Sequence, residues 1–178
     1  MRKICILFAL LFVLNYVQAQ TTGNQFGIGA ELGIGTASGS KLSYGASVKY
    51  LHELTSSGHG TISLGILKSS TSEEIGGVKY KTSTSIVPIM AGYRQRFVNF
   101  YAEPQLGLAV NTYKVTVDGE SDSETKVSLG YAIGGGYITD GGFDLGVRFF
   151  NTTQSGAKGI IVFRVGYNFS LGGGSTNN

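Results

Sequence analysis

Strict alternation of apolar and small or polar residues runs along most of this chain. In Phe26-Gly27-Ile28-Gly29-Ala30-Glu31-Leu32-Gly33-Ile34-Gly35 every even position is apolar and every odd position is Gly or Glu. A period of two places these sets on opposite faces of a strand. The pattern returns in segments at about 41–51, 60–69, 78–93, 98–113, 124–138, 142–151 and 159–170. In the fifth, Phe100, Ala102, Leu106, Leu108 and Val110 alternate with Tyr101, Glu103, Gln105, Gly107 and Ala109. No segment carries the i, i+3, i+4, i+7 spacing of an amphipathic helix. Eight strand-like segments follow one another, and the chain reads as all-β.

The connections differ in character. Arg94–Phe97 and Thr139–Gly141 are compact. Ser70–Gly77, Lys114–Ser123 and Thr152–Lys158 are longer and rich in Ser, Thr and acidic residues, and Ala37–Ser40 is short. The link His52–His59 is longer than its position leads one to expect. Pro88 and Pro104 fall within strand segments, where the missing N–H predicts lapses in pairing.

An even number of strands with alternating turns and loops fits a closed, antiparallel, up-and-down transmembrane β-barrel. A sheet in hydrocarbon must close, because an open edge leaves backbone groups unsatisfied. Alternation alone does not exclude a soluble exported ligand-binding barrel of lipocalin type. Two features favour lipid. The apolar face is bulky and continuous while the other is Gly/Ser/Ala-rich, as a narrow lumen requires. Charged residues are 14% of the chain, against about a quarter in soluble domains. Tyr44, Tyr50, Tyr93, Phe100, Tyr131, Tyr137, Phe149, Tyr167 and Phe169 lie on the apolar faces, as interfacial girdles do.

The first residues have another design. Arg2 and Lys3 precede the apolar run Ile4–Leu14, and Val17-Gln18-Ala19 offers a small-residue cleavage site. This is the pattern of a secretory signal peptide over residues 1–19, cut after Ala19 or Gln20. The barrel is expected over 20–170, followed by a Gly/Ser/Asn tail at 171–178. Cys5, the one cysteine, lies within the signal, so the exported chain has no disulfide or cysteine-held metal. Two of the fourteen basic residues leave with the signal, and twelve remain against eleven acidic ones. Such a near-neutral balance does not point to nucleic acid.

The candidate site is the set of charges on the inward face: Glu31, Lys49, Glu103, Lys126, Asp144, Arg148 and Arg164. An eight-stranded barrel is just wide enough for side chains to fill, and buried charges require partners. The expectation is a salt-bridge network that plugs the lumen, structurally or as a gate. No catalytic constellation, cofactor motif or metal-ligand spacing accompanies it. Gly27-Ile28-Gly29 with Gly33 lacks the third glycine and the helix of a dinucleotide fingerprint. His52 and His59 read as solvated turn residues, and the acidic run Asp118–Glu124 does not fit a calcium loop.

Ile86-Val87-Pro88-Ile89-Met90-Ala91-Gly92-Tyr93-Arg94, a tight turn, and Phe100-Tyr101-Ala102-Glu103-Pro104-Gln105-Leu106-Gly107 resemble the strand–turn–strand centre of the Gram-negative outer-membrane β-barrel domain family. That group includes PorT-like and OmpA-like eight-stranded barrels. The "IP" pair and the Y-x-x-P-x-x-G pattern carry the resemblance. It implies an integral outer-membrane protein without catalytic residues, with outer-membrane lipid and, during biogenesis, the barrel-assembly machinery as partners. Phe169 matches the terminal aromatic residue of such barrels, although nine residues follow it. The expected role is structural, at the envelope or in surface interaction. The alternatives are a small-solute pore and the lipocalin-like barrel.

Overall fold

The computed structural model describes residues 23–37, 39–75, 78–117 and 120–171. Eight strands run in order: β1 (Gln25–Gly35), β2 (Leu42–Thr55), β3 (Gly58–Ile75), β4 (Val78–Phe97), β5 (Phe100–Val117), β6 (Glu120–Ile138), β7 (Phe143–Thr152) and β8 (Ile160–Ser170). Each pairs antiparallel with its neighbours, and β1 pairs with β8 to close the barrel. Closure leaves no free edge where the ring is complete. No helix occurs among the described residues. The expected signal peptide, residues 1–19, and the tail from 172 onward lie outside the described residues.

The two faces separate as the alternation requires. On β1, Phe26, Ile28, Leu32 and Ile34 point outward and are exposed, while Gln25 and Glu31 point inward and are buried. The outward aromatic residues gather toward the strand ends. At the end where β1 begins and β8 ends, Phe26 sits across from Tyr50 and Phe169. There Phe100 and Tyr137 meet edge to face at 5.2 Å, and Tyr167 contacts Phe143 and Phe169 at 6.0 and 4.8 Å. These geometries suit the ring quadrupole.

That end carries the tight turns. Two residues, Ser56 and Ser57, join β2 to β3, and Val98 and Asn99 join β4 to β5. The expected long link at His52–His59 is therefore mostly strand. His59 shares the inward face with Thr61 and Ser63 and is buried, so only His52 remains exposed as a turn histidine would be. The short turn fixes the parity, and the parity turns His59 inward.

The opposite end also differs from expectation. The segments Ser70–Gly77 and Lys114–Ser123 are largely strand, because β3–β4 pairing continues to Ile75↔Val78 and β5–β6 pairing to Val117↔Glu120. Their Ser, Thr and Val content suits a pleated surface as well as a loop. β2–β3 pairing ends at Tyr44↔Lys68, and β6–β7 pairing starts at Gly130↔Thr152. A four-stranded wall, β3 to β6, thus rises above one side of the barrel. The prolines act as their chemistry demands. Pairing lapses between Leu64↔Ile89 and Leu67↔Ile86, beside Pro88, and between Gly92↔Gln105 and Gln95↔Ala102, beside Pro104.

Candidate functional site

The inward side chains form two tiers. Toward the tight-turn end lies a polar cluster in which two carboxylates collect donors from five strands. Glu103 on β5 accepts from Lys49 Nζ on β2 at 2.7 Å, from Thr61 Oγ1 on β3 at 3.1 Å and from Gln105 Nε2 at 2.6 Å through one oxygen. Its other oxygen takes Arg94 Nε at 2.8 Å. Asp144 on β7 accepts from Arg94 Nη1 at 3.1 Å, Arg164 Nη1 at 2.9 Å and Tyr101 OH at 2.7 Å. Asn168 Nδ2 adds a contact at 3.4 Å. Arg94 on β4 therefore joins the two carboxylates, and its guanidinium also lies 3.7 Å over the Tyr101 ring, a stacking that a planar cation favours. Arg164 Nε reaches Ser47 Oγ at 3.3 Å across the β1 backbone.

Glycines make this cluster possible. A Cβ at Gly29 would lie 2.7 Å from Arg164 Nε, and one at Gly136 or Gly146 would lie 2.6 or 2.7 Å from the Tyr101 hydroxyl. These positions leave the guanidinium and the phenol lying flat on the wall.

Glu31 pairs separately with Arg148, Nη2 to Oε2 at 2.9 Å, although its neighbour in register is Arg164. What remains between Lys49, Tyr101, Glu103, Arg148 and Arg164 is a void of about 20 Å³, about the room one water needs. Above the polar tier Leu67, Met90, Ala109, Ala132, Phe150 and Val162 pack into an apolar layer.

Six of the seven charges expected in the lumen are placed there: Glu31, Lys49, Glu103, Asp144, Arg148 and Arg164. Lys126 is not. It is inward by parity but sits on the rising wall, paired with Glu124 at 2.9 Å and 53% exposed. The strand continues past the barrel mouth there, so the same face meets solvent. Two features escape a sequence reading that ends the fourth segment at Tyr93. Arg94 reads there as the first residue of a turn, whereas one further step of the alternation turns it inward. The apolar tier is hidden because Leu67, Met90 and Phe150 each follow an outward apolar residue. Among the described residues no group of three or more His, Cys, Asp or Glu could hold a metal.

The sequence profile of the outer membrane protein beta-barrel domain matches residues 5–169. The chain belongs to that family. A comparison with curated proteins finds no match. Among solved structures it is similar to Ail, the attachment invasion locus protein of Yersinia pestis, crystallised with the heparin analogue sucrose octasulfate. The TM-score is 0.63 and the identity 20%, over 82% of this chain and 97% of Ail. It is also similar to the N-terminal barrel of Pseudomonas aeruginosa OprF, with a TM-score of 0.56 and 15% identity over 83% and 98% of the two chains. Neisserial surface protein A matches at 0.54 and 14%, over 84% and 98%. At these identities the structures bear on the fold. As a member of the family the chain is an outer-membrane barrel, and its outward apolar face is the lipid-facing one.

Proposed function

We propose that this outer-membrane barrel is a closed, non-enzymatic envelope protein whose lumen is plugged and whose working surface is the rising wall. The observation that carries this reading is Arg94, which ties Glu103 to Asp144 across the lumen. A buried charge deprived of its partner is costly, so such a cluster resists opening. The apolar tier above it would have to part as well. Long strands at one end and tight turns at the other match the usual asymmetry of outer and periplasmic rims, so the wall faces outward and both ends of the barrel segment face the periplasm. Export by the N-terminal signal, insertion by the assembly machinery and burial in outer-membrane lipid complete the proposal. Ail binds a heparin analogue on a similar scaffold, which supports a surface-interaction role.

Single cysteines at Ser155, beside the wall, and Ser57, in a tight turn, test the orientation on intact cells with a membrane-impermeant maleimide. Labelling of Ser155→Cys alone is expected. Labelling of Ser57→Cys alone, or recovery of the protein in the soluble periplasmic fraction, contradicts the proposal.

A further inference from the structure

The rising wall is not flat. Its inward face continues the lumen face upward, and with the β7–β8 loop it encloses a cup of about 330 Å³ at the barrel mouth. A smaller hollow of about 260 Å³ adjoins it and shares Thr84 with it. The floor is the top of the apolar tier, Ile86, Phe150 and Ile160. The walls change character at once. Thr84, Asn111, Thr152 and Gln154 offer amide and hydroxyl groups to the larger cup, and Ser69 and Thr82 do so in the smaller hollow. Tyr113 in the cup and Tyr80 in the hollow are 49% and 40% exposed, so their rings are open to a ligand. Lys126 is already held by Glu124. Lys158, exposed on the loop that completes the cup, has no ion pair among the described residues.

We propose that this cup binds an extracellular saccharide carrying carboxylate groups. The residue types fit that ligand and fit others less well. Sugars present many hydroxyls, each needing a partner that can donate or accept, and Ser, Thr and amide side chains do both. The C–H face of a sugar ring rests on an open tyrosine, which supplies apolar area and a polar tip together. The surplus cation at Lys158 gives a uronate a charge-assisted hydrogen bond. A purely apolar ligand would leave the hydroxyl walls unpaired, and a cationic one would meet a cup that, with Glu124 offsetting Lys126, keeps the positive charge of Lys158. The proposal rests on the surface-interaction reading above, but its test uses purified protein and does not depend on orientation or on conductance.

Calorimetric titration of the refolded barrel in detergent micelles compares four probes: hexagalacturonate, its methyl ester, maltohexaose and hexaglutamate. Hexagalacturonate is expected to bind, with the methyl ester and maltohexaose at least about tenfold weaker, the loss of a charged hydrogen bond. Hexaglutamate, which carries charge without rings, is expected to be weaker still. Lys158→Gln should weaken hexagalacturonate about tenfold and Tyr113→Ala about three- to tenfold. Unchanged heat-modifiable migration of both variants shows that the barrel is intact. Absence of hexagalacturonate binding, equal binding of hexaglutamate, or affinity indifferent to both substitutions overturns the proposal.

Discussion

Arg94, Glu103 and Asp144 show how much depends on single residues in a lumen this narrow. Each is at most 4% exposed, so none can recover hydration if its partners are removed. Asp144→Ala takes from Arg164 its carboxylate partner and leaves Arg94 with Glu103 alone, and the expected loss of stability is about 3–5 kcal/mol, read as a shift of the urea midpoint for unfolding from lipid vesicles. The glycines contribute differently, through what they lack. Gly29→Val would push the Arg164 guanidinium off both Asp144 and Ser47, and the same assay should show a loss of about 1–3 kcal/mol, the usual cost of overpacking. At this scale the sequence was only partly legible. The parity of Glu31, Glu103 and Asp144 follows from the alternation. Their pairing does not, because Glu31 bypasses Arg164, its neighbour in register, for Arg148 across the lumen. Such choices depend on side-chain reach in three dimensions, to which a period of two is blind.

Strand ends are set by turn chemistry and by where the hydrocarbon stops, and they separate expectation from structure most clearly. The segments at 25–36 and 159–170 were readable almost to the residue, since Gly and polar residues bound them. The wall was legible only in part. Residues 78–85, 111–113 and 124–126 read as strand, but Ser, Thr and Val around 70–77 and 114–123 satisfy loop and strand equally, and the pairing that decides between them is non-local. Depth in the membrane gives a direct check. Leu64→Arg, on the outward face of β3, should cost about 2–4 kcal/mol, whereas Ser123→Arg, on the wall, should cost about 0–1 kcal/mol. Comparable costs at the two sites would contradict the placement of the wall above the lipid. The β4–β5 turn offers a second check. Val98 holds φ at 61° in a two-residue hairpin turn, a conformation that disfavours a β-branched residue. Val98→Gly is expected to stabilise the barrel by about 0.5–1 kcal/mol, measured as a higher urea midpoint.

At the scale of the whole molecule, one sheet serves three environments. Its outward face meets lipid, its inward face carries the polar cluster and the apolar tier, and the upward continuation of that inward face lines the cup. Lys126 marks the transition, because the parity that buries Lys49 and Arg164 leaves it in water once β2 and β7 have ended. The low charge content had pointed to lipid, and the family match agrees. What composition could not show is that the void between Lys49, Glu103, Arg148 and Arg164 is only about 20 Å³ and lies beneath an apolar layer. Planar-bilayer recording of the purified barrel tests that closure most directly. Wild-type protein, Glu31→Ala and Arg148→Ala should all give conductance at the bilayer background, because the Glu103–Arg94–Asp144 bridge and the apolar tier remain in each. Reproducible single-channel steps from the wild-type protein would contradict a plugged lumen and favour a small-solute pore.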